Sequence, residues 1–241
     1  MPDAGGANSG YLVQEGDFKL LVDCGTGVFA QLRTVCEPTN VDAVLITHLH
    51  ADHMIDLLPY AHALLFVYRG AGKPLWGPPE STKTFAALSA IFGIGYQIHE
   101  SFSLQEYDPD RSLQLGPLTV RFQWVPHYVP TWACDLQAPD GKRFTFGADC
   151  APNDLLPKIA LDTDLLMLEA TERVAPYVAP DDIRGHMTAR EAGELARACQ
   201  ARRLVLTHYS DLLDAGEVSS EGQGGFGAPV ELAQAGMQLI I

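Results

Sequence analysis

The run Val44-Leu45-Ile46-Thr47-His48-Leu49-His50-Ala51-Asp52-His53 decides how the rest of this chain is read. Its first four residues, three of them apolar and three β-branched, read as a buried strand. The polar residues begin where that strand runs out. Two histidines spaced two apart in extended backbone project to the same side. Asp52 and His53 can then turn toward a second ion as the chain leaves the strand. Imidazole and carboxylate are the donors expected around zinc in a hydrolytic site. A polar surface loop is the bland alternative, and it does not account for three histidines and an aspartate within six residues.

A binuclear site needs more side chains than these four. Three candidates stand at or just after the ends of other strand-like runs. His127 follows residues 118–125, Asp149 follows Phe144-Thr145-Phe146-Gly147, and His208 follows Leu204-Val205-Leu206-Thr207. Taken singly each has an ordinary reading, the histidines as satisfied polar residues and the aspartate as a turn former. Their common placement at strand ends groups them.

Further strand-like runs occur at residues 11–13, 19–22, 41–47, 132–137, 143–146 and 165–169, with helical patterns at 28–35, 55–66 and 82–91. Thr188-Ala189-Arg190-Glu191 is a capping box, and Ala192, Leu195, Ala196 and Cys199 repeat on one face behind it. Pro139-Asp140-Gly141 is a turn closing a hairpin between residues 132–137 and 143–146. The Gly-rich stretch 219–227 is short, and the apolar residues 230–241 read as a returning final element. Hairpins in each half, mixed with helices, predict two sheets covered by helices rather than one parallel sheet.

The chain has 241 residues, 47% hydrophobic and 19% charged, which suits a single domain over residues 1–241. No apolar run approaches the roughly twenty residues of a membrane span. The start of the chain lacks the basic and apolar segments of a secretory signal, so a soluble, cytoplasmic protein is expected. The five cysteines (Cys24, Cys36, Cys134, Cys150, Cys199) include no Cys-x-x-Cys pair and read as small buried residues. A formal net charge of −14 repels a polyanion, and the largest basic clusters are the pairs Lys142-Arg143 and Arg202-Arg203. The composition therefore points to a small-molecule partner rather than a long nucleic acid.

These motifs resemble the metallo-β-lactamase superfamily and, within it, the ribonuclease Z-like group. His48-x-His50-x-Asp52-His53 is similar to the superfamily signature. Ser9-Gly10-Tyr11-Leu12-Val13 with Leu20-Leu21-Val22-Asp23-Cys24-Gly25 resembles the group's opening hairpin, and Pro74-Leu75-Trp76-Gly77-Pro78 its short strand and Gly-Pro turn. The resemblance implies an α/β, four-layer αββα sandwich. It also implies one metal on His48, His50 and His127, a second on Asp52, His53 and His208, and Asp149 bridging the two. Two zinc ions per chain are expected, with manganese or iron accepting the same donors. The group's Gly-Asp pair reads Gly147-Ala148-Asp149 here. Its first strand is absent or displaced, which leaves a sheet edge that a homodimer partner would cover.

Two more fragments carry the resemblance into catalysis. Leu168-Glu169-Ala170-Thr171 is similar to the group's His-Glu-Ala-Thr motif, with Leu168 in place of its histidine. Gly185-His186-Met187-Thr188 is similar to its His-Ser-Thr motif. The implied catalytic residues are Asp52, Glu169 and His186, with His186 held by Glu169 and protonating the leaving oxygen. The plain alternatives are a surface histidine ahead of the capping box and a solvated acid at a strand end. Asp23 reads as structural, tying down its own loop. His62 and His99 match no motif.

Ribonuclease Z carries a long arm for tRNA between its third and fourth ligand motifs, and the span from His127 to Asp149 leaves no room for one. The expected reaction is hydrolysis of a small phosphodiester, such as a cyclic nucleotide, by water that the metals activate. Tyr128, Trp132 and Tyr209 are candidates to contact a base or sugar, or else they simply pack. The competing readings are a carboxylic ester or lactone hydrolase, a tRNA 3′-processing endonuclease, and a non-catalytic metal-bearing binding protein. The group's redox relatives replace the second signature histidine by glutamate, and here that position is His50.

Overall fold

A computed structural model describes residues 5–70, 72–93, 97–179, 182–210 and 212–241. Its chain falls into two compact units, one of Met1–Asp108 with Leu115–Pro117 and one of Pro109–Gln114 with Leu118–Ile241. Each unit is built on its own sheet with its own helices. The chain is thus of the mixed α/β class with two helix-flanked sheets, as the hairpin pattern predicted.

In the first unit, β1 (Tyr11–Glu15) and β2 (Phe18–Val22) form an antiparallel hairpin with Tyr11 opposite Val22. Three parallel strands follow in spatial order, β3 (Ala43–Leu45), β4 (Lys73–Gly77) and β5 (Phe102–Glu106). Helices Val28–Val35, Leu57–His62 and Ser81–Ile91 bring Val28, Leu32, Leu57, Tyr60 and Phe85 onto Leu21, Val44 and Leu75, and these residues form one buried cluster. The strand expected at residues 41–47 is shorter than its apolar run because its end is diverted. Ile46 still donates its N–H to Trp76 of β4, at 2.8 Å, but Thr47 donates to the Asp23 carboxylate at 2.9 Å. The helix expected over 55–66 is broken into a short turn at Ala51–Met54, Leu57–His62, and a wider-wound continuation over Ala63–Tyr68.

The second unit holds β6 (Leu113–Leu115), β7 (Leu118–Val125), β8 (Thr131–Gln137), β9 (Arg143–Phe146), β10 (Leu165–Glu169), β11 (Leu204–Thr207) and β12 (Glu231–Leu232), which lie in the sheet in sequence order. Strands β7, β8 and β9 are antiparallel neighbours, whereas β9, β10, β11 and β12 run parallel. The expected helix after Thr188 is Ala189–Ala198, with both hydrogen bonds of its capping box in place. Its Ala192, Leu195 and Ala196 pack on Leu166, Leu168, Leu204 and Leu206. Cys24, Cys134, Cys150 and Cys199 are buried and all five cysteines are free.

The end of the chain departs from its sequence reading. The Gly-rich stretch is the second half of a helix, Ala215–Phe226, which Asp214 caps by accepting from the Glu217 N–H at 2.8 Å. Glycine is a poor helix former, so packing rather than propensity holds it. A Cβ on Gly193 would lie 2.2 Å from the Gly222 carbonyl oxygen, and one on Gly225 would lie 2.1 Å from that of Arg190. The two helices therefore meet backbone to backbone, at a distance that only glycine permits. Residues 230–241 supply just the two residues of β12, after which the chain turns at Gly236, where φ is 78°. Among the described residues no helix is long and apolar enough to cross a membrane.

Gly225→Ala should cost about 1–3 kcal/mol of unfolding free energy, the range for overpacking a close contact. Gly216→Ala, whose new methyl would meet only the Asp214 side chain at 3.0 Å, should cost far less. Urea denaturation of the two variants compares them, and equal losses would show that the seam yields freely. Glu191 gives a second expectation. Burial alone would raise its carboxyl, but Arg184 and Thr188 outweigh that and hold it below the usual range. Its interactions thus stabilise the fold above the ordinary glutamate value, near about 4.3, and are lost as pH falls through the depressed one. The stability gap between parent and Glu191→Gln should narrow over that acid window in pH-dependent unfolding.

Candidate metal centre

The first unit gathers its four sequence-predicted ligands where β3 ends. The rings of His48 and His50 have centroids 5.0 Å apart, and those of His48 and His53 are 4.0 Å apart. His48 and His53 are buried, and the short turn Ala51–Met54 swings Asp52 and His53 back past the strand end. Asp23 organises the group. It follows β2 in the left-handed region, at φ 59°, and is wholly buried. Its carboxylate accepts from the Thr47 N–H and hydroxyl, from the Ser9 hydroxyl and, at 2.7 Å, from His53 Nδ1. Because the Thr47 hydroxyl proton goes to Asp23, its oxygen is left to accept from His48 Nδ1 at 3.2 Å. Counting protons in this way leaves Nε2 as the lone-pair atom on both His48 and His53.

Asp23 therefore does more than tie down its loop. It sets the tautomer of His53 directly and that of His48 through Thr47. The only sequence signal for this role was a carboxylate at the end of a buried strand. Gly25 serves the same loop, because a Cβ there would stand 1.8 Å from the Asp52 carbonyl oxygen. The Cys24 N–H donates to His53 O at 2.6 Å, so the two loops are pinned together.

The second unit brings together His127, Asp149, Glu169, His186 and His208. The ligand atoms of His127, Asp149 and His186 lie within 4.8 Å of one another, and so do those of Glu169, His186 and His208. Asp149 Oδ2 is 3.4 Å from His208 Nε2 and 4.0 Å from His127 Nε2. Two ligands of one tetrahedral zinc stand about 3.3–3.5 Å apart, given bonds near 2.0–2.1 Å. The first separation has that value. Both strand-end turns use the left-handed region, with φ 53° at Ala148 and 54° at His208. A Cβ on Gly147 would lie 2.4 Å from Cδ2 of buried Leu168, so a larger residue there would have to displace that side chain.

Proton counting gives the same result here. His127 Nδ1 donates to the Gly185 carbonyl at 2.7 Å. His208 Nδ1 is 2.9 Å from the Thr171 hydroxyl, whose proton goes to Glu169 Oε2 at 2.5 Å. Each imidazole is thus left with Nε2 for a cation. The imidazole and carboxylate donors, fixed in tautomer by their neighbours, fit a hard or borderline divalent metal.

Glu169 and His186 form a pair, with Nδ1 2.9 Å and 3.0 Å from the two carboxylate oxygens. Glu169 is buried, which pushes its carboxyl up, although His186 and Thr171 draw it back. Burial would lower the His186 imidazole, but its hydrogen bond to Glu169 and the charges of Glu169 and Asp149 prevail and raise it. Glu169 also accepts the Cys150 N–H at 2.7 Å, so it braces the turn that carries Asp149. Thr171, which the sequence reading did not single out, links Glu169 to His208. Tyr128 is half exposed, and its ring lies against Gly185 and 5.6 Å from that of His186. Trp132 pairs with Trp124 across β8 and β7, and the Tyr209 hydroxyl donates to Ala233 O at 2.8 Å.

Comparison with known proteins follows the same lines. A family model described as a Beta-lactamase superfamily domain matches residues 19–209. The Probable metallo-hydrolase YhfI of Bacillus subtilis (strain 168) is 31% identical, over 98% of this chain and 93% of that protein. The crystal structure of the metallo-beta-lactamase fold protein YhfI from Bacillus subtilis superposes with a TM-score of 0.84 at 28% identity, covering 98% of this chain and 92% of that one. A Ribonuclease Z of Mycobacterium bovis is 28% identical over 90% of this chain and 85% of that protein. The chain belongs to the beta-lactamase superfamily and is a metal-dependent hydrolase.

Asp23→Asn keeps the size of the side chain and removes its charge. It should lower divalent-metal affinity by about 10–100-fold, the usual effect of losing a carboxylate behind a ligating histidine. Competition with a chelator measures this, and parental affinity in a folded variant would remove Asp23 from the role given to it.

Proposed function

We propose that this member of the superfamily is a binuclear phosphodiesterase acting on a small phosphodiester, with a cyclic nucleotide as the leading candidate. One ion would be held by His48, His50 and His127 and the other by Asp52, His53 and His208, with Asp149 shared, as the family pattern implies. Zinc suits these donors, and manganese or iron would be accepted. Two bound divalent ions would supply an activated water and charge stabilisation at phosphorus.

The observation that carries the reading is the Glu169–His186 pair. Cleaving a phosphodiester leaves a poor leaving group, an alkoxide, which benefits from a proton as the bond to phosphorus breaks. His186 is placed to give it. Its Nδ1–H is anchored on a buried carboxylate, its other nitrogen is free of that bond, and the charge of Glu169 favours the protonated ring. Glu169 is a positioning residue in this scheme and His186 the acid. Half-exposed Tyr128, with its ring beside that of His186, is the aromatic residue best placed to meet a base or sugar.

Small size of the substrate is supported by the short connection between His127 and Asp149. Residues 138–142 alone join β8 to β9, closed by the Ala138 N–H to Lys142 O bond at 2.9 Å. No arm for a folded RNA leaves that hairpin, and the net charge of −14 disfavours a long polyanion as substrate. The similarity to a ribonuclease Z keeps precursor tRNA cleavage as the second reading.

Metal-loaded protein should be assayed on bis-p-nitrophenyl phosphate, cyclic nucleotides, a precursor tRNA, a lactone and a β-lactam. The expected outcome is phosphodiester turnover without tRNA cleavage, and turnover of the lactone alone would refute the reading. His186→Ala should lower kcat on a cyclic nucleotide by about 10²–10⁴, the range for losing a general acid, with metal content unchanged. Parallel loss of metal would instead make His186 a ligand.

A further inference from the structure

His186 sits in the middle of a five-residue segment whose two ends are held by one carboxylate, that of Glu191. At the near end, Arg184 donates from Nη1 to Glu191 Oε1 at 2.8 Å and from Nη2 to Oε2 at 2.5 Å. At the far end, the Thr188 N–H and hydroxyl both donate to Glu191 Oε2 at 2.9 Å. Glu191 is itself anchored in the first turn of the helix Ala189–Ala198, where its own N–H donates to Thr188 Oγ1 at 3.3 Å. The segment is closed into a ring on the helix end.

The capping box does not need Arg184. A threonine at the cap and a glutamate three residues on already satisfy each other's backbone donors. The bidentate arginine is an addition, and it fixes the plane and direction of the carboxylate as a single hydrogen bond would not. Both side chains are about four-fifths buried, at 19% and 22% exposed, so the pair is shielded from the screening that makes surface ion pairs weak. The residues enclosed by the ring do the work at the site. Gly185 offers its carbonyl to His127 Nδ1 at 2.7 Å, and His186 points Nδ1 at Glu169.

We propose that Arg184 and Glu191 form a clasp that positions His186 for proton delivery, so that Arg184 is a positioning residue of the reaction and not just a helix-end ion pair. The inference rests on the reading of His186 as the acid. Opening the clasp frees the segment at Arg184 while the cap at Thr188 persists. The imidazole then loses its aim, whereas Gly185 stays held by its bond to His127 and by the Tyr128 ring packed on it, so the fold and the ligand set remain.

The test uses the dependence on leaving group. Cyclic AMP leaves a ribose alkoxide that needs a proton, whereas bis-p-nitrophenyl phosphate leaves a phenolate that departs without one. Arg184→Ala should lower kcat on cyclic AMP by about 10-fold or more, within the range for a misaligned catalytic group. It should leave KM and turnover of the nitrophenyl ester within about 2-fold of the parent. Arg184→Lys, which keeps the charge without the fork, should fall between. In a His186→Ala background, Arg184→Ala should cause no further loss on cyclic AMP.

Equal losses on both substrates, or losses that add to those of His186→Ala, would overturn the clasp. If His186→Ala itself shows no leaving-group dependence, or cyclic AMP is not turned over, the reading of His186 or of the substrate fails instead. A second readout then still decides the clasp without turnover. In isotope-labelled histidine spectra, the His186 Nδ1–H should exchange slowly in the parent and broaden in Arg184→Ala, while that of His53 is unchanged. Retention of the His186 signal in that variant would overturn the proposal.

Discussion

Parallel pairing of β9, β10 and β11 is the constraint on which the second unit's chemistry depends. Met167 faces Phe146 on one side, and Glu169 faces Thr207 on the other. Strands β10 and β11 therefore end level, and β9 stops two residues short of them, with neighbours about 4.8 Å apart. Asp149, Glu169 and His208 leave from those ends within a few residues. Carboxyl ends of parallel strands are where open α/β sheets place their ligands, because the backbone ladder stops there and side chains can converge. The left-handed turns at Ala148 and His208 make that convergence immediate. Each costs about 1–2 kcal/mol for a residue with a Cβ, and the buried packing of Ala148 and the strand behind His208 offset it.

Both units solve the problem of a histidine tautomer in the same way. In the first, His48 leans on the Thr47 hydroxyl, which leans on buried Asp23. In the second, His208 leans on Thr171, which leans on buried Glu169. A hydroxyl has one proton, so a carboxylate behind it settles which way the proton goes, and the imidazole is left no choice. Each carboxylate then serves a second histidine directly, His53 for Asp23 and His186 for Glu169. The difference lies in what that second ring is for: His53 stands in the ligand signature, whereas His186 stands in the motif that the family resemblance assigns to proton transfer.

Much of this was legible in the sequence, and for identifiable reasons. Strands 118–125 and 143–146 alternate apolar with polar residues, 165–169 and 204–207 are nearly continuous apolar runs, and all four have the bounds the sequence predicts. The helix after Thr188 announced itself through its capping box. Glu169 and His186, far apart in sequence, were paired only through their resemblance to a family motif, and the structure sets them 2.9 Å apart. What escaped was set by tertiary contact. Asp23 looks like any loop aspartate until His53 is brought beside it. Thr171 acquires its role only from the neighbouring strand. The helix Ala215–Phe226 contradicts its own composition, since four of its twelve residues are glycine.

That same helix has a consequence for how the sequence can change. A contact between side chains can be tuned a methyl group at a time, but at Gly193 and Gly225 the facing atoms are backbone, and the seam has no such intermediate sizes. The first step away from glycine would already set a Cβ 2.2 Å or 2.1 Å from a carbonyl oxygen, so gradual drift is closed to these two positions. Variation in this part of the chain has to be carried by the outward faces of the two helices. A relative that gave up one of these glycines would have to shift one helix against the other, and Arg190, which lines the seam, immediately precedes the residue that holds Thr188. The geometry around His186 is thereby tied to a stretch of chain with no chemical group of its own to offer.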